Sequence, residues 1–304
     1  MDPILPGDVV RAGNEYLARP LAIDESYITT IRAAMANPHG VSAATRPPVR
    51  SRGGTAVLAI RGPLQQRADI FSQIFGGTGY DEIRAAYAQA LADPAVTSIV
   101  LDVDSPGGEV FGLPELADFM FASRGVKPTT AIANPFTASA AYYIASQVDE
   151  VVVAPSGLIG SIGTYMLHVD QSGMLESLGI RPTFVSAGKY KTEGNPFEPL
   201  SEAAREDWQS KVDAWYGEFV DAVARGRGVT SAVVRSDMGQ GRMLMPAAAV
   251  RAGMADRVAT FETVLERHGS AVASAPARAR ADAADEGRDN VPSTEALYAL
   301  HRRR

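Results

Sequence analysis

The feature that most limits the fold of this chain is the alternation of short apolar segments with amphipathic segments of ten or more residues. Each amphipathic segment predicts a helix that buries one face on a sheet, so the alternation predicts crossover units. The loops that follow parallel strands then meet along one edge. The pattern predicts an α/β fold with a mainly parallel sheet. The predicted strands cover residues 55–61, 98–104, 129–133 and 150–154, with two more near 164–169 and 183–186. The predicted helices cover 81–92, 110–123 and a segment starting near Ser139.

Composition divides the 304 residues into three parts. Residues 1–53 are interpreted as an N-terminal extension that contains a short helix over 24–36 and then a loop rich in proline and arginine. Residues 54–268 carry the strand and helix pattern and are predicted to form the compact domain. Residues 269–304 are rich in alanine and charge, so they are predicted to be a flexible tail, with a short helix over 293–301.

Several kinds of function are excluded or disfavoured by residue content. The chain has no cysteine, which excludes disulfides, thiolate metal sites and a cysteine nucleophile. Its four histidines are widely separated and the sequence has no phosphate-binding glycine loop, so neither a metal nor a cofactor is predicted. A net charge of -6 argues against a nucleic-acid partner. Because no secretory signal or long apolar run is present, we expect a soluble intracellular protein without a membrane anchor.

Two loops that follow predicted strands contain the residue types that acyl transfer needs. The first is Asp104-Ser-Pro-Gly-Gly108, where paired glycines leave backbone N–H groups open to a ligand, as in an oxyanion hole. The second places Ser139 among small residues at the start of a helix, where N–H groups are also free. From spacing alone, a helix cap is the favoured explanation of Ser139, and the paired glycines are equally typical of an ordinary strand-to-helix turn.

A serine nucleophile needs a base, and histidine is poorly placed in this sequence. Lysine is the alternative when burial lowers its pKa enough for it to accept a proton. Lys189 and Lys191 follow a predicted strand, whereas Lys127 and Lys211 lie in or beside helices. Lys189 and Lys191 are therefore the candidate bases.

The order of these segments resembles the signal-peptide-peptidase family of Ser-Lys proteases (SppA-like, S49), and in particular its phage capsid and head-maturation branch. The resemblance extends over residues 55–265. Its motifs are residues 101–108, 138–146, 159–163, 187–191 and 241–256, and the stretch Lys191-Thr-Glu-Gly-Asn-Pro-Phe197 carries the likeness to the phage branch.

The resemblance implies a crotonase-like and Clp-protease-like spiral of repeated β-β-α units. It implies that Ser139 is the nucleophile, that Lys191 is the base and that Ser161 orients Lys191. Gly108 and Ala140 would supply the N–H groups of the oxyanion hole, with Gly107 as an alternative to Gly108. The family pattern is Ser-Gly-Gly, so Ser139-Ala-Ala141 is a departure that keeps the N–H groups and narrows the pocket.

The resemblance also implies partners and a setting. The expected substrates are proteins or peptides, and the expected assembly is a homo-oligomeric ring whose neighbouring subunits share the Ser-Lys dyad. The phage branch implies portal, scaffold or capsid proteins as partners, in the bacterial cytoplasm or the prohead, with the tail acting like a scaffold. The alternatives are a cytosolic housekeeping protease of the same family, a crotonase-fold enzyme acting on acyl-coenzyme A, and a capsid protein that has lost activity.

Overall fold

A central sheet organises the protein, for which a computed structural model describes residues 5–38 and 50–274. Its parallel strands are β3 (Thr55–Arg61), β6 (Ser98–Ser105), β8 (Thr129–Ala138) and β9 (Glu150–Val153). These strands are almost continuously apolar because helices cover both faces of the sheet. The prediction of an α/β fold with a mainly parallel sheet is confirmed. The remaining strands of this sheet are β2 (Arg50–Arg52), β10 (Leu158–Gly160), β11 (Met243–Leu244) and β12 (Arg257–Val258).

A second, smaller sheet lies beyond the carboxyl ends of the central strands. It consists of β1 (Leu21–Ile23), β7 (Gly107–Glu109), β4 (Leu64–Gln65) and β5 (Thr78–Gly79), in that spatial order. Strand β4 follows β3 along the chain, and β7 follows β6. In each case a long strand of the central sheet is followed by a short strand of the small sheet and then by a helix. The β-β-α units that the resemblance predicts are therefore present.

Helices bury the two faces of the central sheet differently. Helices α4 (Tyr80–Ala92), α5 (Leu113–Ala122), α6 (Ala140–Ala145) and α8 (Glu202–Arg227) contribute to the large core on one face. On the other face, helix α11 (Phe261–Ser274) places Val264 on strand residues that include Val57 and Val100. The other helices are α3 (Ile70–Phe75), α7 (Ser172–Ser177), α9 (Ser231–Asp237) and α10 (Pro246–Arg251).

The N-terminal extension has more structure than the sequence predicts. The predicted helix is present as α2 (Ser26–Ala36), but a longer helix, α1 (Pro6–Leu17), and strand β1 precede it. Together with α3 these elements enclose a core of their own, in which the Tyr16 and Phe71 rings stack with centroids 3.9 Å apart. The extension is joined to the rest of the chain through the small sheet.

Two further predictions differ from the structure. Strands expected near 164–169 and 183–186 are absent; Tyr165 forms only an isolated bridge with Leu21. The first segment therefore pairs with β1 at one residue only, and residues 183–186 form no ladder with a strand of the described chain. The first residues of the predicted tail, 269–274, continue helix α11, and the rest of it, including a predicted helix over 293–301, lies outside the described residues.

Candidate active site

Ser139 lies at a sharp turn between strand β8 and helix α6. Its φ of 53° and ψ of -121° form a combination that residues with a side chain rarely adopt. The Ser139 N–H donates to the Gly160 carbonyl at 2.7 Å, which fixes the turn to the neighbouring strand β10. The hydroxyl donates to the Gly163 carbonyl at 3.4 Å, a long and weak hydrogen bond. The turn therefore leaves the hydroxyl only lightly held.

The turn that the sequence assigned to the oxyanion hole lies directly beside Ser139. A Cβ placed on Gly107, whose φ is +97°, would lie 2.8 Å from the Ser139 Cβ and 2.9 Å from the Ala138 carbonyl oxygen. Gly108 lies closest to strand β4, and a Cβ there would lie 2.0 Å from the Leu64 carbonyl oxygen. No side chain fits at either position. The glycines are required for the close approach of three backbone segments.

Ala140, the other proposed donor, is the first residue of helix α6. The N–H groups in the first turn of a helix have no acceptor within the helix, so the Ala140 N–H is available to a ligand. It follows Ser139 directly and is fully buried. Its position is compatible with that of an oxyanion donor.

Ser161 lies in the turn after strand β10, next to the residue that holds Ser139 in place. It has a φ of 56°, and its N–H donates to the Arg242 carbonyl at 3.1 Å. A Cβ on Gly160 would lie 2.5 Å from that same carbonyl oxygen. The Gly-Arg segment near residue 242 thus supports the turn that carries Ser161 and, through Gly160, the nucleophile.

Lys191 is exposed, and no hydrogen bond joins it to Ser139 among the described residues. It lies in a turn in which its N–H donates to the Gly188 carbonyl at 3.1 Å. Lys189, the other candidate, places its ammonium 4.7 Å from the centre of the Tyr190 ring. One chain therefore brings Ser139 and the Gly107-Gly108 turn together, with the Ser161 turn beside them, but does not bring either lysine to the Ser139 hydroxyl.

The segment that carries Lys191 is attached at its C-terminal end. A Cβ on Gly194 would lie 2.4 Å from the Trp208 ring of helix α8, and His168 Nε2 lies 3.0 Å from the Asn195 carbonyl oxygen. Before this attachment the segment exposes many large apolar side chains, and Val185 is completely exposed. The exposed apolar residues are Met174, Leu178, Ile180, Phe184, Val185, Tyr190 and Phe197.

The tyrosines that follow Ser139 are not alternative bases. Burial raises the pKa of Tyr142 and of Tyr143, so both phenols stay protonated at neutral pH. The Tyr142 hydroxyl donates to the Met254 carbonyl at 3.1 Å, and Tyr143 donates to the Glu218 carbonyl at 3.5 Å. These residues anchor helix α6 to the core and leave the base to be supplied from elsewhere.

The sequence reasoning missed the contribution of the N-terminal extension to this site. Strand β1 pairs antiparallel with β7, so that Ala22 lies opposite Gly108. Arg19, just before β1, forms a salt bridge of 3.0 Å with the buried carboxylate of Glu109 in β7. The only available signal was the apolar triplet Leu21-Ala-Ile23 after Pro20, which is too short to be distinguished from a loop.

The chain is similar to several known proteins. The head-tail preconnector protein GP5 of Enterobacteria phage P21 is 36% identical over 67% of this chain and 40% of its own length. The capsid assembly protease C of Escherichia phage lambda is 35% identical over 67% of this chain and 46% of its own length. The chain thus spans less than half of these relatives. The 1510-N membrane protease of Pyrococcus horikoshii, specific for a stomatin homologue, superposes with a TM-score of 0.40 at 14% identity, covering 69% of this chain and 78% of that one.

The described residues include no helix long and apolar enough to cross a membrane. Residues 122–273, which include both Ser139 and Lys191, match the model of peptidase family S49. That match covers half of the chain, and the chain therefore belongs to peptidase family S49, a family of serine peptidases.

Proposed function

We propose that the protein is an endopeptidase in which Ser139 attacks the peptide carbonyl and Lys191 acts as general base. The Ser139 hydroxyl would lose its proton to the lysine amine, which would return it to the leaving amine. N–H groups of Gly108 and Ala140 would stabilise the oxyanion, each contributing about 3 kcal/mol. The observation that carries the proposal is the strained Ser139 turn, packed against a glycine turn that leaves no room for a side chain.

Lys191 is proposed to act on Ser139 of a neighbouring subunit. A base has to lie within hydrogen-bond reach of the nucleophile, and in one chain Lys191 is exposed instead. The same segment presents apolar side chains such as Phe184 and Val185, and exposed apolar surface of this kind indicates a protein contact. Burial in such a contact would disfavour the charged form of a lysine, as a general base requires. A second copy of the chain therefore accounts for both features.

The substrates are proposed to be capsid or scaffold proteins processed during phage head maturation, in the host cytoplasm or the prohead. The support is the identity with the two phage proteins, which exceeds 30% over two thirds of this chain. A housekeeping protease of the same family remains the second candidate, favoured by matches such as Protease 4 of Salmonella typhi, which is 26% identical over 72% of this chain. The acyl-coenzyme A alternative does not account for membership of a peptidase family.

The test is cleavage of an unfolded protein by the purified chain and by the Ser139→Ala and Lys191→Ala variants, with Lys189→Ala as the matched control. We expect activity in the parent and in Lys189→Ala only, with all four proteins forming oligomers of the same size. Equal activity in all four would contradict the assignment of the dyad. If Lys189→Ala loses activity and Lys191→Ala keeps it, the base is Lys189 and not Lys191.

A further inference from the structure

Ser139 is 1% exposed, which is unusual for a nucleophile that has to meet an external polypeptide. The segment that covers it is identifiable. The position that a Cβ would occupy on Gly107 lies 2.3 Å from the Ala22 carbonyl oxygen and 2.8 Å from the Ser139 Cβ. Strand β1 therefore runs close to the nucleophile, with the Ala22 carbonyl oxygen and the Ser139 Cβ both bordering that position.

The backbone of β1 is hydrogen-bonded on one side to β7. The Asp24 N–H donates to the Pro106 carbonyl at 2.7 Å, and the Val110 N–H donates to the Pro20 carbonyl at 3.0 Å. Hydrogen-bonded pairs alternate along an antiparallel ladder. Since pairs 20/110 and 24/106 are bonded, the pair between them, Ala22 and Gly108, is bonded as well. The Gly108 N–H, the proposed oxyanion donor, is thereby directed to the Ala22 carbonyl oxygen.

The other edge of β1 is also hydrogen-bonded. The Leu21 N–H donates to the Tyr165 carbonyl at 3.0 Å, and the Tyr165 N–H donates to the Leu21 carbonyl at 2.9 Å. The segment is thus an extended strand held between the oxyanion turn and the chain that follows Ser161. Addition of an extended strand to an exposed edge is a general way in which proteins bind peptides.

The side chains of β1 point alternately into two different cores. Ala22 is fully buried in the large core of the peptidase domain, whereas Leu21 and Ile23 belong to the separate core of the N-terminal extension. A strand places successive side chains on opposite faces. The methyl group of Ala22 therefore enters the body of the domain beside the nucleophile, in a space that suits a small side chain.

We propose that β1 occupies the peptide-binding cleft of the active site as an intramolecular substrate mimic, with Ala22 in the position of the residue whose carbonyl is attacked. The inference rests on the proposed function, because it takes Ser139 as the nucleophile. It assigns the cleft to the edges of β7 and Tyr165, with a preference for a small residue at the position of Ala22. It also implies that the site is shielded until β1 is displaced or cut.

The first test measures the rate at which a fluorophosphonate probe labels Ser139 in the full-length oligomer. The variant is Ala22→Lys, whose side chain does not fit the buried space, and the matched control is Ala18→Lys at an exposed position four residues earlier. We expect labelling of Ala22→Lys to be at least tenfold faster than that of the parent and of Ala18→Lys. Equal labelling of all three would overturn the inference while leaving the proposed function intact. If the probe labels none of the three proteins, both the inference and the proposed function are contradicted.

A second measurement does not depend on the folding of a variant. Amide hydrogen exchange over residues 18–24 is compared in the parent before and after Ser139 has been labelled with the probe. Because the probe and β1 compete for one cleft, labelling should speed exchange in that segment at least tenfold. Unchanged exchange in the labelled protein would show that β1 is only a structural strand.

The intact mass of the parent provides a third readout. Attack on Ala22 followed by hydrolysis adds one water across the bond, leaving a carboxylate on Ala22 and an amine on Ile23. A fragment beginning at Ile23 in the parent and not in Ser139→Ala would support the inference. Cleavage confined to other bonds of the extension, at a rate that Ala22→Lys leaves unchanged, would contradict it.

Discussion

The two halves of the proposed dyad lie in regions of opposite character. Ser139 is 1% exposed and is surrounded by backbone from β7, β10 and the extension. Lys191 is exposed and lies in a segment whose apolar side chains are open to solvent, with Val185 at 100%. One chain therefore brings Ser139 and the glycine turn together by itself. Contacts within the same chain contribute little to the stability of the segment that carries Lys191.

The largest effect on activity is expected from a change of the proposed base, Lys191, and it tests the contrast between the two regions. Lys191→Ala should lower kcat by about 10³-fold, which is typical of losing a general base. Its thermal unfolding temperature should not change within a degree, because an exposed side chain contributes little to stability. Calorimetry and peptide hydrolysis together measure both quantities. A large fall in unfolding temperature would show that Lys191 is part of the core of its own chain.

In the closely packed region, the expected effect is on stability as well as activity. Gly108→Ala places a Cβ 2.0 Å from the Leu64 carbonyl oxygen, so the small sheet has to shift. We expect a loss of about 1–3 kcal/mol in the free energy of unfolding, which is usual for overpacking, together with loss of activity. Gly217→Ala in helix α8, with nothing within 4 Å of the added Cβ, is the control and should be neutral or stabilising. Equal effects of the two changes would contradict the close approach at β7.

A smaller effect is expected at Ser161, which the proposal places between the two regions as a positioning residue. Ser161→Ala should lower kcat by about 10- to 100-fold, the loss of one hydrogen bond to a charged or reacting group, and should leave KM unchanged. The pH profile of kcat should also shift, which a purely structural role would not cause. Ser156→Ala, at an exposed position in the preceding loop, is the control. An unchanged pH profile of kcat would contradict a positioning role for Ser161.

The smallest effect is expected on stability, at the face of the central sheet that helix α11 covers, which does not contribute to the candidate active site. Burial lowers the pKa of His268, whose Nε2 lies 2.9 Å from the Thr130 hydroxyl. A lowered folded-state pKa means that the unfolded chain binds the proton more readily. Stability should therefore fall as the pH falls through about 6.5, the unfolded value. Urea unfolding at pH 7.5 and 5.5 should show this dependence in the parent and less of it in His268→Gln, while activity at pH 7.5 stays equal. Identical pH dependence of stability in both proteins would contradict the assignment of this effect to His268.

The sequence predicted the central strands and the position of the paired glycines after one of them because both depend on local signals. A buried parallel strand such as β6 is continuously apolar, and paired glycines are needed wherever backbones approach closely. Strand β1 was missed because three apolar residues carry no periodicity of their own. Its place is fixed by pairing with Gly107–Glu109, a contact distant in sequence. The strands expected near 164–169 and 183–186 were wrong because β-propensity alone does not build a ladder: the first segment pairs with β1 only at Tyr165, and among the described residues the second pairs with no strand.

The measurement that tests the central claim most directly is complementation between two inactive variants. Ser139→Ala and Lys191→Ala are dissociated, mixed and reassembled, and hydrolysis of an unfolded protein is measured with the mixed oligomers confirmed by native mass spectrometry. If Lys191 of one subunit serves Ser139 of its neighbour, the mixture contains sites with both residues and activity returns. Mixed oligomers that stay inactive, beside a parent that is active under the same conditions, would contradict a dyad shared between subunits.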